Sequence, residues 1–343
     1  MAATSEAIPA EELTALPVRN PVLIAPVVKA PAAPTHVSRQ MQKLILKYDV
    51  SKIGERNVGK SMNFYSLDRE AQMGREMAEE IETEMVLVND PVISEYVNRL
   101  GQNLVRNSDA KVPFTIRVVN SSEVNAFALP GGYFYVNTGL ILAADNEAEL
   151  AGVMSHEIAH VAARHATHNL SKRDLVNLCT IPALFVAGPV GIAVREATDV
   201  AMPMEFLKFS RDAEREADLL GMQYAYAAGY DPAAMVSFFE KVEAKEKKKK
   251  GFLARAFDTH PMTAERVRRA QEEMSAMLPP KDDYIVTNSE FNDVKARLAA
   301  LVNRHMIEDS DDSLPTLHRA TAEPDDAKPQ KDDRPTLKRG TGD

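Results

Sequence analysis

The chain has 343 residues, of which 45% are apolar, and a formal net charge of −9. That length holds one large domain or two small ones, the apolar share is ample for a core, and the negative charge argues against broad nucleic-acid binding. Cys179 is the single cysteine, which excludes a disulfide framework within the chain and a cysteine-built zinc site.

Residues 1–40, rich in Pro, Ala and Val, predict an extended, disordered lead-in. No basic region followed by an unbroken apolar stretch marks a secretory signal there, because Pro21 and Pro26 punctuate the apolar run Pro21–Val28. A folded domain is expected over 41–306. Ser66–Met85 carries apolar residues at 67, 73, 77, 81 and 85, a helical period. A second helix is predicted over Pro91–Asn107. The period then shortens to that of a strand in Phe114–Val119. The following "VNAFALPGGYFYVNTGLI" (Val124–Ile141) reads as two extended segments about Pro130-Gly131-Gly132, and so as a small antiparallel sheet.

Helices dominate from there. Asn146 with Glu149 is a capping pair for a helix expected from Glu147 to Asn169. Ser210 can cap the next, which stops at Gly229, and Asp231-Pro232 opens another in the N-cap and first-turn arrangement. Lys245–Lys250 reads as a solvated helix end. One more helix follows His260-Pro261, and a last is expected over Ser289–Met306. Residues 307–343 are charged and predicted disordered; "PTLHRAT" recurs there as "PTLKRGT". No repeat of 30–45 residues is visible, so no appended helical-repeat module is expected. The fold class is α+β, mostly helical.

Chemistry concentrates in "GVMSHEIAHVAARH" (Gly152–His165). On a helix His156 and His160 project from one face, one turn apart, and two imidazoles so placed can reach one tetrahedral metal. Glu157, offset by one position, can lie near a water at that metal without ligating it, the arrangement H-E-x-x-H. A catalytic zinc needs a third protein ligand. Ala163 and Ala166 stand where an extended metzincin pattern would need Gly and His, so the ligand must come from elsewhere. "SRDAEREAD" (Ser210–Asp218) is the best source. Glu214 and Asp218 share a helix face; Glu214 can ligate, and Asp218 can accept the free ring N–H of a ligating histidine. Glu216 points away from that face.

Five segments, "SLDREAQMGREMAEEIE", "VNAFALPGGYFYVNTGLI", "EAELAGVMSHEIAHVAARH", "SRDAEREADLLGMQYAYAAGYDP" and "THPMTAERV", resemble the zinc metallopeptidases that include the CAAX prenyl endopeptidase and the heat-shock protease HtpX. They are most similar to the soluble periplasmic, β-barrel-assembly-enhancing branch. The resemblance covers about residues 64–270 and implies a gluzincin-type fold with the sheet beside the H-E-x-x-H helix. It implies Zn²⁺, one per chain, on His156, His160 and Glu214, with Glu157 as base. It also implies a peptide-binding strand edge at Asn125, Ala126, Phe127 and Ala128. The activity implied is zinc endopeptidase action (EC 3.4.24 type) on unfolded or misassembled polypeptides in envelope quality control. The location implied is periplasmic, with a peripheral membrane or envelope-complex contact; a cytoplasmic location is the alternative.

His260 sits before Pro261, an element shared with that branch. It reads as a fourth, inhibitory ligand, as an oxyanion partner, or as a plain helix-entry histidine. His165, one position past the next helical turn, is expected to face away from the metal, and both it and His168 to be structural or surface residues. Leu175–Val194 is twenty residues without charge. It lies between His160 and Glu214, which must meet at one metal, so it reads as a hairpin or flap over the site, with a membrane-dipping loop as the alternative. The rival to a peptidase is a chaperone-like or scaffold protein with a latent zinc site. Oligomeric state is not legible.

Overall fold

The computed structural model describes residues 23–26, 38–175, 208–248, 260 and 263–311. One unit spans Met1–Leu301; of the second, Val302–Asp343, only the end of the last helix is described. In chain order the elements are β1 (Leu23–Pro26), α1 (Arg39–Lys47), α2 (Leu67–Glu84), α3 (Pro91–Arg106), β2 (Thr115–Val119), β3 (Ala126–Ala128), β4 (Tyr133–Asn137) and α4 (Thr138–Ala143). Then come α5 (Glu147–Ala162), α6 (residues 165–175), α7 (Arg211–Ala227), α8 (Ala233–Lys248), α9 (Ala264–Met277), β5 (Asp283–Thr287) and α10 (Ser289–Asp311).

Local signals set most helix starts. Ser66, Ser210 and Asn146 each accept a hydrogen bond from the backbone N–H three residues on. Asp90 accepts from Val92 and Ile93 ahead of Pro91. Glu147 and Glu149 place negative charge in the first turn of α5, where the helix dipole favours it. Every residue of α5 but Val161 is buried, so this helix has no solvent face and forms the centre of the unit. It packs chiefly against α7, with α3, α8 and β3 around it. Gly221 allows the α5–α7 approach: a Cβ there would lie 3.0 Å from the backbone N and Cα of His156.

The three-stranded sheet corrects the all-antiparallel expectation. Its order is β2-β4-β3, with β3 and β4 antiparallel but β2 and β4 parallel. The Pro130–Gly132 reversal makes β3–β4 a hairpin, while residues 120–125 carry the chain across so that β2 joins the far edge of β4 in the same direction. Gly131 and Gly132 take φ of +76° and +91° in that turn, and a Cβ on Gly131 would come within 2.6 Å of Ala71 Cα on α2. The second extended segment ends at Asn137, after which Thr138–Ala143 is helical rather than extended.

Three further boundaries differ from expectation. Within the lead-in, Leu23–Pro26 pairs antiparallel with β5, Pro26 falling at the strand end. The last helix runs to Asp311, since no Gly or Pro precedes Pro315 to stop it. The helix from Glu147 does not continue to Asn169: it ends at Ala162, and α6 begins at residue 165 after Arg164 adopts φ +58°. Cys179, the recurring "PTL" elements and all of Leu175–Val194 but the exposed Leu175 lie outside the described residues. No described helix is long and apolar enough to cross a membrane.

Candidate metal centre

His156 and His160 lie one turn apart on α5, and their Nε2 atoms are 3.1 Å apart. Two nitrogens held at the usual ~2.0–2.1 Å from a tetrahedral zinc would be about 3.3 Å from each other, so the pair already has a chelating separation. Glu214, in the first turn of α7, brings Oε2 to 3.6 Å from His156 Nε2 and Oε1 to 3.7 Å from His160 Nε2. His260 completes the group: its Nδ1 donates to Glu214 Oε1 at 2.8 Å, and its Nε2 lies 3.7 Å from Glu157 Oε1. Ligand atoms of His156, His160, Glu214 and His260 all lie within 4.8 Å of one another, the one such cluster among the described residues, and all four side chains are buried. A buried donor set of three imidazoles and a carboxylate suits zinc. Glu214 Oε2 accepts no aligned hydrogen bond, and a guanidinium nitrogen of Arg266 lies 2.9 Å from it.

Asp218, one turn after Glu214, brings its Oδ1 to 3.2 Å from His156 Nδ1, a charge contact not aligned as a hydrogen bond. Arg266 of α9 was not foreseen. It donates to both Asp218 oxygens, from Nε at 2.8 Å and Nη2 at 2.7 Å, and Nη2 also lies 2.9 Å from Glu214 Oε2. Thr263, not His260-Pro261, caps α9, and that cap sets Arg266 on the first turn. The only signal for Arg266 in the sequence was its place in "THPMTAERV".

His165 corrects a second expectation. It is buried, with Nδ1 2.9 Å from His160 Nδ1 and Nε2 3.4 Å from Glu216 Oε2. The break at Arg164 turns it back toward His160, and Glu216, facing away from Glu214 on α7, meets it there. His168 is the outward histidine, bonded to Ser61 Oγ and Met62 O. The Phe209 ring stacks on His160 with centroids 4.0 Å apart.

Electrostatics divide the group. Burial opposes charge on His156, but the neighbouring carboxylates of Asp218 and Glu214 outweigh it and raise the pKa to about 9. Burial and the neighbouring charge of His156 push His160 well below its ordinary value, so it stays neutral. Burial would raise Glu214, yet His156 and His260 hold it far below the carboxylate range. Glu157 is raised, mainly by burial, and partly restrained by His260, His156 and a backbone hydrogen bond from Ala128. Of the expected strand edge, Ala126–Ala128 form β3, one of the two edge strands of the sheet, and Asn125 precedes it, its carbonyl accepting from Asn137 N–H at 3.1 Å.

Residues 91–274 match the model of peptidase family M48, a span that contains this whole cluster. The chain belongs to peptidase family M48. It is 32% identical over 250 residues to the β-barrel assembly-enhancing protease of Escherichia coli, covering 69% of this chain and 50% of that protein. It is 31% identical over 190 residues to the metalloprotease LoiP of the same organism, covering 54% and 73%. It is 29% identical over 214 residues to the mitochondrial metalloendopeptidase OMA1 of Schizosaccharomyces pombe, covering 61% and 62%. The chain thus spans about half the length of the β-barrel assembly-enhancing relatives it matches.

Proposed function

We propose that this M48 chain is a zinc endopeptidase of gluzincin type acting on unfolded or misassembled polypeptides, in an extracytoplasmic compartment as the name of its E. coli relative suggests. The observation that carries it is the buried cluster of His156, His160, Glu214 and His260 with Glu157 beside it. His156, His160 and Glu214 would hold one zinc, which when bound supplies Lewis acidity to the scissile carbonyl and the attacking water. Glu157 takes the water's proton and later delivers it to the leaving amine, and its raised pKa suits both transfers. Asp218 and Arg266 hold His156 and Glu214 from behind. The substrate adds as a strand along β3, so its main chain is positioned with modest side-chain selectivity.

His260 gives a second reading its footing. With Nδ1 donating to Glu214, a neutral His260 carries its lone pair on Nε2 and can fill a fourth position on the metal. A site closed in that way is latent, and a chaperone-like or scaffold role then becomes the rival. Cleavage of an unfolded outer-membrane protein by wild type, lost in Glu157→Gln with one zinc per chain retained, supports the peptidase; binding without cleavage supports the rival. His260→Ala is expected to raise basal turnover severalfold with zinc retained. A fall in turnover would give His260 the oxyanion role instead, and an unchanged rate would remove both.

A further inference from the structure

The two imidazoles of the H-E-x-x-H helix are supported differently. His156 has a carboxylate, Asp218, beside its Nδ1. His160 has no carboxylate there; its Nδ1 faces the Nδ1 of another histidine, His165, at 2.9 Å. Two ring nitrogens at that distance share one proton, so one must donate and the other accept. If Nε2 of His160 is given to the metal, its Nδ1 carries the proton and donates to Nδ1 of His165. His165 must then be the Nε2–H tautomer, and that N–H faces Glu216 Oε2 at 3.4 Å. Glu216 Oε1 in turn accepts from the hydroxyl of Tyr48, at the end of α1. Every proton in the series has one consistent place.

The backbone is bent to make this contact. Arg164 is the one non-glycine residue among those described with positive φ, at +58°. Such a conformation persists only where the surroundings over-determine it. The Arg164 side chain is tied down by Nε to Glu70 Oε1 at 2.8 Å and by Nη2 to the Tyr65 carbonyl at 2.5 Å. Without that turn α5 would run on, and the residue after Arg164 would face away from His160.

We propose that His165 and Glu216 are positioning residues for the zinc ligand His160: a histidine-relayed carboxylate that fixes its tautomer and ring plane, as Asp218 does directly for His156. This rests on the assignment of His156, His160 and Glu214 as zinc ligands. Through Tyr48 the relay also ties α1 to the metal, although α1 itself buries no residue.

The test is equilibrium zinc affinity by competition with a chromogenic chelator, together with the d–d spectrum of the cobalt-substituted chain and the melting midpoint of the metal-free chain. Loss of partners that support a metal-ligating histidine weakens metal binding by about 10–100-fold. His165→Ala is expected to show that loss and a shifted cobalt spectrum. Glu216→Gln, which keeps volume and an acceptor but removes charge, should lose severalfold. His168→Ala, on the outer side of α6, should match wild type in both. Zinc affinity and cobalt spectrum unchanged in His165→Ala would overturn the relay, as would a loss confined to metal-free stability. If His165→Ala does not fold, Glu216→Gln decides alone, and unaltered affinity there overturns the proposal. Absence of stoichiometric zinc in wild type would instead remove the ligand assignment beneath it.

Discussion

Two buried polar clusters sit along α7, and they are finished differently. Toward its C-terminal half, Asp109 accepts from Arg56 Nε at 3.0 Å, from Gly54 N–H at 2.8 Å and from Tyr224 Oη at 2.8 Å, while Gln223 takes another Arg56 N–H. One charge faces one charge, and neither Asp109 nor Arg56 has a buried atom without a partner. At the N-terminal end, Glu214 and Asp218 face two histidines of α5, with Glu214 Oε2 and His156 Nδ1 lacking aligned partners. The first cluster is closed and joins the segment before α2 to the loop after α3 and to α7. The second gathers ligand-type nitrogen and oxygen atoms of four side chains within 4.8 Å of one another, a grouping that suits a bound cation, because buried polar groups without partners cost stability.

The largest effect should come from Glu157, the proposed base of the second cluster. Glu157→Gln is expected to lower peptide cleavage by about two to four orders of magnitude, since its amide cannot accept the water's proton. Zinc content and melting midpoint should stay at wild-type values, and near-normal turnover would sink the mechanism. Breaking the closed cluster should do the reverse. Asp109→Ala leaves Arg56 buried and unpaired, which is expected to cost about 3–5 kcal/mol in urea unfolding, with zinc affinity of the folded chain unchanged. If zinc affinity falls as far as stability does, the two clusters are not independent.

Metal removal sharpens the contrast. At a free zinc concentration of 100 times its Kd, chelation should reduce wild-type stability by about 2.7 kcal/mol, and Glu214→Ala should be insensitive to the same treatment. An equal response in both would take Glu214 out of the ligand set.

The effect confined to one pH range concerns Glu273, buried on α9 with Oε2 unpartnered. Burial, reinforced by the charge of Asp218 and opposed by Arg269, raises its pKa to about 7 from an ordinary 4.5. The folded state therefore holds this proton more tightly than the unfolded one. The resulting stability is complete below about pH 4.5 and is lost as pH rises through about 7. Glu273→Gln should be more stable than wild type by about 3 kcal/mol at pH 8 and by under about 1 kcal/mol at pH 5, judged by urea midpoints. Equal midpoints at pH 8 would show that the carboxylate finds a partner.

What the sequence alone determined was whatever depends on helical period and caps. His156 and His160 share a face because they are four apart, as do Glu214 and Asp218, and Asn146 and Ser210 mark where their helices begin. These relations are local, so spacing carries them. Tertiary structure decided the rest. The parallel pairing of β2 with β4 joins strands separated by a third, and β1 reaches β5 across more than 250 residues. Arg266 comes to Asp218 from another helix, and Glu216, on the wrong face of α7 for the metal, finds His165 only because α5 ends where it does. That ending has no Gly or Pro to announce it. It depends on Glu70 and the Tyr65 carbonyl holding Arg164 left-handed from almost a hundred residues away. A periodicity argument continues the helix through that point, because the force that stops it lies outside the window it reads.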